Sequence, residues 1–249
     1  MSIKLSVIFL VIGNSRLHWG WFQEGKILQS WNTPHLEKPV NTLPTHLFPT
    51  EITQSLSETV FIYLVSVVEK QTQLWENYPH KHIITLDDIP LTNIYSTLGV
   101  DRALCAYGAG EIYGYPVLVI DGGTALTYTT VGTWRNFQGG AILPGLSLQL
   151  NALTEHTAAL PQVSLPPTLP QLWATSTSSA IESGVIHTVT AGIYDYVSHW
   201  WRDFSDGVVI LTGGDAILLQ TYLKQKYPLF SENIIVDQTL MFRGIAQLI

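Results

Sequence analysis

An apolar, β-branched run, Val117-Leu118-Val119-Ile120, ends in Asp121, and Gly122-Gly123-Thr124-Ala125 follows at once. A carboxylate at a buried strand end can hold a cation. Adjacent glycines let a phosphate approach backbone N–H groups, and a threonine hydroxyl can donate to a phosphate oxygen. That combination points to phosphoryl transfer. Twenty residues before Asp121, the segment Gly99-Val100-Asp101-Arg102 sets an acid beside a base at a helix start. Asp101 can be a simple N-cap or a carboxylate that works on substrate, and Arg102 can grip a substrate carboxylate through two parallel hydrogen bonds. Gly13-Asn14-Ser15 is a tight turn with two side-chain donors, either a phosphate loop or an ordinary strand exit. The chain carries neither GxxxxGK[ST] nor GxGxxG, so neither a P-loop nor a dinucleotide fold is supported.

Three apolar strands run into glycine turns: Val7–Ile12 into Gly13-Asn14-Ser15, Val117–Ile120 into Asp121-Gly122-Gly123-Thr124, and Val208–Leu211 into Thr212-Gly213-Gly214-Asp215. Near-continuous Val/Ile/Leu runs are the mark of strands buried on both faces. After the first two the pattern stays β-like, through Leu17–Phe22 and Leu126–Val131, with hairpin turns expected at Glu24-Gly25 and Gly132-Thr133. The repeated strand–glycine–hairpin unit suggests a duplicated α/β domain with a cleft between the halves and a boundary near Gly114-Tyr115-Pro116. A helix is expected from Asp101 to about Tyr113, rich in small residues. Its return strand would bring Asp101 and Asp121 to one cleft. A second helix, Gly184–Trp201, places Val185, Val189, Ile193, Val197 and Trp200 on one face, and a third, Asp215–Lys226, does the same with Ala216, Leu219 and Leu223. Gly139–Gly145 reads as a second phosphate or substrate loop, Leu160–Pro170 as a plain loop, and His156 as a surface or packing residue rather than a metal ligand.

Composition narrows the classes further. The chain has 249 residues, 46% hydrophobic and 12% charged, which is a compact globular balance. The net charge is −7 and the 12 Lys and Arg do not cluster, so no nucleic-acid footprint exists. A nucleotide would have to be met by backbone amides, a metal or a few placed cations. The single cysteine, Cys105, excludes an intrachain disulfide and fits a reducing, cytoplasmic compartment. Met1–Ile12 has a signal-like look but lacks a small-x-small cleavage site, and no apolar run approaches the roughly 18–20 residues of a membrane span.

Taken in order, these segments resemble the type III pantothenate kinases, of the acetate and sugar kinase/Hsp70/actin superfamily. The resemblance rests on Gly13-Asn14-Ser15, Gly99-Val100-Asp101-Arg102, Asp121-Gly122-Gly123-Thr124-Ala125, the Gly139–Gly145 and Thr157–Pro161 pair, and Ser176–Gly184, with Thr212-Gly213-Gly214 as a weaker sixth block. Ile12-Gly13-Asn14-Ser15-Arg16-Leu17-His18-Trp19 looks like the cyanobacterial version of the first block. The resemblance implies two ribonuclease-H-like domains, an actin-like ATPase duplication, over residues 1–115 and 116–249. It also implies ATP- and Mg²⁺-dependent phosphorylation of pantothenate to 4′-phosphopantothenate, the first step of coenzyme A synthesis.

By the same resemblance, Asp101 is the general base, and Tyr95, Gly99, Val100, Asp101, Arg102 and Thr177 contact pantothenate. Gly13, Asn14, Ser15, Arg16 and Thr124 contact ATP, Asp121 holds a monovalent cation (K⁺ or NH₄⁺), and the chain pairs as a homodimer. One departure stands out. The family's first block usually reads Asp-x-Gly-Asn-Thr, and here the aspartate position is Val11, which cannot bind Mg²⁺ or its waters; the position of a common lysine is His18. That departure keeps two other readings open. One is a non-catalytic relative that binds nucleotide or pantothenate, and the other a kinase for a different small hydroxy compound.

Overall fold

The computed structural model describes residues 6–57 and 59–249; residues 1–5, the start of the signal-like segment, lie outside it. The chain divides into two compact units. The first takes the described residues through Pro90, with Tyr95–Leu104 and Met241–Ile249, and the second takes Leu91–Ile94 and Cys105–Leu240.

In the first unit, β1 (Ser6–Ile12), β2 (Leu17–Gln23), β3 (Lys26–Thr33), α1 (Thr50–Ser55), β4 (Val60–Ser66), α2 (Glu69–Gln73) and β5 (Lys81–Ile83) follow one another. The sheet order is β3-β2-β1-β4-β5, with β1–β2 and β2–β3 antiparallel and β1–β4 and β4–β5 parallel. The β2–β3 hairpin turns where expected, at Glu24 (φ 51°) and Gly25 (φ 79°). Two successive left-handed residues match the twist of the flanking strands. Alternate residues of β1 separate its two faces: Ile8, Leu10 and Ile12 join Trp19, Trp75, Phe48 and Ile52 in one core, where Trp19 stacks on Trp31 at 6.0 Å.

α3 (Val100–Tyr113) leads toward the second sheet. Ala103, Ala106 and Ala109 on it are fully buried and Cys105 is nearly so, the packing that its small residues predicted. Gly114, at φ 101°, ends the helix by donating its N–H to Gly110 O at 2.9 Å.

The second unit then contains β6 (Val117–Gly122), β7 (Ala125–Val131), β8 (Phe137–Pro144), α4 (Leu146–Glu155), α5 (Thr177–Asp203), β9 (Val208–Thr212), α6 (Ala216–Lys226), α7 (Pro228–Ser231) and β10 (Ile235–Val236), and α8 (Leu240–Ala246) closes the chain. Its sheet order is β10-β9-β6-β7-β8, with β6–β7 and β7–β8 antiparallel and β6–β9 and β9–β10 parallel. Read from the other edge this is the arrangement of the first sheet. The fold is therefore the duplicated ribonuclease-H-like one, with β6 the counterpart of β1.

β9, the third strand–glycine segment, takes the place that β4 takes in the first sheet, parallel to the central strand. β6 and β9 are both buried on their two faces, so their sequences look alike. One expectation changes. Gly139–Pro144, read as a loop, forms the edge strand β8, and only Gly145 makes the turn. The helical faces hold as expected: Val185, Val189, Ile193, Val197 and Trp200 of α5 and Ala216, Leu219 and Leu223 of α6 share one core with Leu118 and Ile120.

Candidate active site

In the first unit, the exit of β1 makes a tight turn. Gly13 N donates to Arg16 O at 3.1 Å, and Asn14, Ser15 and Arg16 stand exposed on it. The His35 ring nitrogen Nε2 lies 2.8 Å from Gly13 O and fixes the turn from outside. Val11, two residues before it, is 3% exposed and sits across from His18 on β2 and Val65 on β4. The position where the resemblance led to an expected aspartate is thus a buried, apolar point in the sheet.

Tyr95, Gly99, Val100, Asp101 and Arg102 also belong to this unit, and here the structure does bring expected residues together. Arg102 is 9% exposed, and its Nη1 donates to the Tyr95 hydroxyl at 3.2 Å. Asp101 is not the N-cap that the sequence allowed. α3 begins at Val100, so Asp101 lies within the first turn, and its Oδ1 accepts the Arg102 N–H at 2.8 Å. Helix first turns favour anions. Burial nonetheless raises the Asp101 pKa above the ordinary carboxylate value, outweighing the Arg102 amide, the Arg102 charge and its own amide. A Cβ on Gly99 would stand 2.5 Å from Asp101 Oδ1, so only glycine leaves the carboxylate where it is.

In the second unit, Asp121 is the last residue but one of β6, and two glycines pack about the turn that follows it. A Cβ on Gly213 would overlap Asp121 Oδ1 and come within 2.6 Å of Gly122 O; one on Gly145 would overlap Gly123 O. Gly145 N donates to Thr124 O at 2.9 Å, and Thr124 is exposed beside it. Asp121 Oδ1 and Gly122 O thus lie close together at this turn. Oxygen groups of this kind suit a hard cation rather than a soft one.

A second carboxylate, missing from the sequence reading, joins this turn. Asp215 N donates to Gly122 O at 2.8 Å, and the Asp215 Cβ is 3.5 Å from where a Cβ on Gly122 would stand. Burial raises its pKa. Asp121 is thus not the only carboxylate at these strand ends. The signal was present in the residue that directly follows Thr212-Gly213-Gly214, the weaker sixth block.

Thr177 opens α5 behind its N-cap Ser176, whose side chain accepts from Ser179 N. With His156, Thr157 and Val185 it lines an apolar cavity of about 710 Å³ between α4 and α5.

Against this geometry, the family model described as type III pantothenate kinase matches residues 7–199. The chain belongs to the type III pantothenate kinase family. A type III pantothenate kinase of Nostoc sp. is 43% identical over 256 residues, covering 96% of this chain and 93% of its own. Among solved structures, a conserved Campylobacter jejuni protein assigned to the Baf family of transcriptional activators superposes with a TM-score of 0.65 at 19% identity, covering 97% of this chain and 96% of that one. MreB5 of Spiroplasma citri gives 0.52 at 12% identity, covering 97% and 95%. At such identities these likenesses speak for the duplicated fold alone.

Proposed function

We propose that this chain transfers the γ-phosphoryl group of ATP to the primary hydroxyl of pantothenate, the first step of coenzyme A synthesis. The observation that carries the reading is the group formed by Tyr95, Asp101 and Arg102 at the start of α3. It sets a half-buried carboxylate with a raised pKa next to an arginine already oriented by a tyrosine. In this reading Asp101 takes the hydroxyl proton and Arg102 pairs with the pantothenate carboxylate, with Tyr95, Gly99 and Val100 shaping that end of the substrate and Thr177 a further contact. The amides and side chains of Gly13, Asn14, Ser15 and Arg16, together with Thr124, hold the phosphates. Transfer of this kind is catalysed mostly by positioning and charge stabilisation.

Asp121 holds a monovalent cation, K⁺ or NH₄⁺, with carbonyl oxygens around it. Mg²⁺ arrives on ATP and keeps several waters, as it commonly does, because Val11 offers it nothing. The same proposal includes a homodimer, a cytoplasmic location and a chain built from halves 1–115 and 116–249, the second beginning just before β6. No helix among the described residues is long and apolar enough to cross a membrane.

The direct test is ADP release dependent on both ATP and pantothenate. Two further outcomes are expected. Arg102→Ala should raise the pantothenate KM by about 10–10²-fold, the worth of a charge-assisted hydrogen-bonded pair, with the ATP KM little changed. A variant that loses kcat but keeps its pantothenate KM would remove Arg102 from substrate binding. Exchanging K⁺ for Na⁺ should lower the wild-type rate, and the Asp121→Asn variant should lose that dependence. Wild-type rates insensitive to the exchange would argue against Asp121 as a cation ligand.

A further inference from the structure

His35, on the segment that follows β3, belongs to none of the motif blocks, yet its ring reaches back to the turn after β1. Its Nε2 is 2.8 Å from Gly13 O. A carbonyl oxygen only accepts, so the proton of that bond sits on Nε2 and His35 is the donor. The segment is anchored on either side of His35. Before it, the Thr33 hydroxyl accepts the buried Trp19 Nε1–H at 2.8 Å. After it, the side-chain amide of Gln71 on α2 grips the Leu36 backbone at both groups. Leu36 N donates to Gln71 Oε1 and Gln71 Nε2 donates to Leu36 O, each at 2.9 Å. Further on, Val40 N donates to Leu74 O at 2.7 Å. The imidazole is therefore carried by a held stretch of backbone, not by a free loop.

We infer that His35 is a positioning residue for the nucleotide: its bond to Gly13 O locks the Gly13–Asn14 peptide so that the Asn14 N–H, and not the Gly13 carbonyl, faces the phosphates of ATP. The inference rests on the reading of that turn as a phosphate loop, and adds the group that holds the loop's polarity. Among the described residues only Tyr115–Pro116 is cis, so the Gly13–Asn14 peptide is trans. In a planar trans peptide C=O and N–H point in opposite directions, and drawing the carbonyl to His35 sends the Asn14 N–H the other way. The turn does not settle this orientation by itself. Gly13 N donates to Arg16 O at 3.1 Å, a bond that closes the turn without involving the next peptide. Glycine also lacks the Cβ that would resist a flip of that peptide. Without His35 a flip would set a carbonyl dipole against the anion and withdraw an N–H from it, whereas an anion-binding turn needs its N–H groups to face one way.

Two variants separate this role from packing. His35→Leu fills the space without a donor, and His35→Gln sets an amide nitrogen where Nε2 stands. Calorimetric titration should show ATP bound at least about tenfold more weakly by His35→Leu, adenosine bound as in the wild type, and most of the lost ATP affinity recovered in His35→Gln. The pantothenate KM should not move in either. Wild-type ATP affinity in His35→Leu, adenosine weakened as much as ATP, or His35→Gln no better than His35→Leu each overturns the assignment. The unsubstituted protein supplies a readout that does not depend on either variant folding. ATP should shift the Asn14 backbone amide resonance and adenosine should not, while ring ¹⁵N shifts place the His35 proton on Nε2. A neutral ring protonated on Nδ1 instead refutes the bond. An Asn14 amide unmoved by ATP removes the phosphate-loop reading and the assignment with it. If Asn14 responds to ATP and His35→Leu keeps its ATP affinity, the phosphate loop stands and the part given to His35 falls.

Discussion

Asp101→Asn should lower kcat by about 10²–10⁴-fold, the range that a positioned general base contributes, without lowering the melting temperature. The two halves of that expectation have one cause. Burial holds the Asp101 carboxyl above its ordinary pKa even though Arg102 and two backbone amides favour the anion. A group whose folded pKa exceeds its unfolded value binds protons better in the folded state. Its ionisation therefore costs stability at neutral pH, and the cost is relieved as pH falls through the folded pKa toward the unfolded one. Asparagine never ionises, so it removes this cost while preserving shape and an acceptor for the Arg102 N–H. A thermal melt and a rate measurement on the same preparation check both halves. The wild-type kcat/KM should fall on the acid side at a pH above the ordinary aspartate range, because only the ionised base accepts the proton. An Asp101→Asn protein with full rate would take the base assignment away from this residue.

Gly213→Ala should damage both fold and function. Gly213 has φ 91°, where L side chains are strained, and its Cβ would overlap the Asp121 carboxylate and stand 2.6 Å from Gly122 O. A non-glycine residue forced into such a backbone conformation costs on the order of 1–3 kcal/mol. The clash with Asp121 adds to that, because the carboxylate or the β9–α6 turn must move. Displacement of a positioned group by about 1 Å can cost roughly 10²-fold in rate. The neighbouring Gly214 has open space where its Cβ would be, and Gly214→Ala should change stability by less than about 0.5 kcal/mol. Denaturant unfolding of the pair, with the rate in K⁺ and in Na⁺, checks the expectation. Equal stability of the two variants would mean that the Gly213 turn can open without disturbing Asp121.

Much of this architecture can be read from the chain because its determinants are local. Both central strands announce themselves as Val/Ile runs, the hairpin turn at Glu24-Gly25 follows from turn chemistry, and the buried faces of α5 and α6 follow from helical periodicity. What escapes is set by register and by packing between segments distant in sequence. β9 reads like β1 and β6 because burial on both faces gives the same composition, and only strand order shows that it pairs as β4 does. Gly139 and Gly140 suggest a loop, yet they lie on an edge strand whose register shifts between Thr130 and Val131. Asp101 is the second residue of α3 rather than its cap, a difference of two residues that decides which amide its carboxylate meets. Asp215 is missed because its proximity to Gly122 depends on how the β9–α6 turn lies against β6. The His18–Asn32 pair spans fourteen residues and exists only because the β2–β3 turn fixes the register.

The measurement that tests the account most directly is product formation by the purified chain. ATP, Mg²⁺, K⁺ and pantothenate are supplied, and the product is identified by mass and by the position of its phosphate. 4′-Phosphopantothenate should form in step with ADP, and should be lost in Asp101→Asn. Nucleotide binding with no phosphorylation of pantothenate under any monovalent or divalent cation would contradict it and mark a chain that keeps the fold without the reaction.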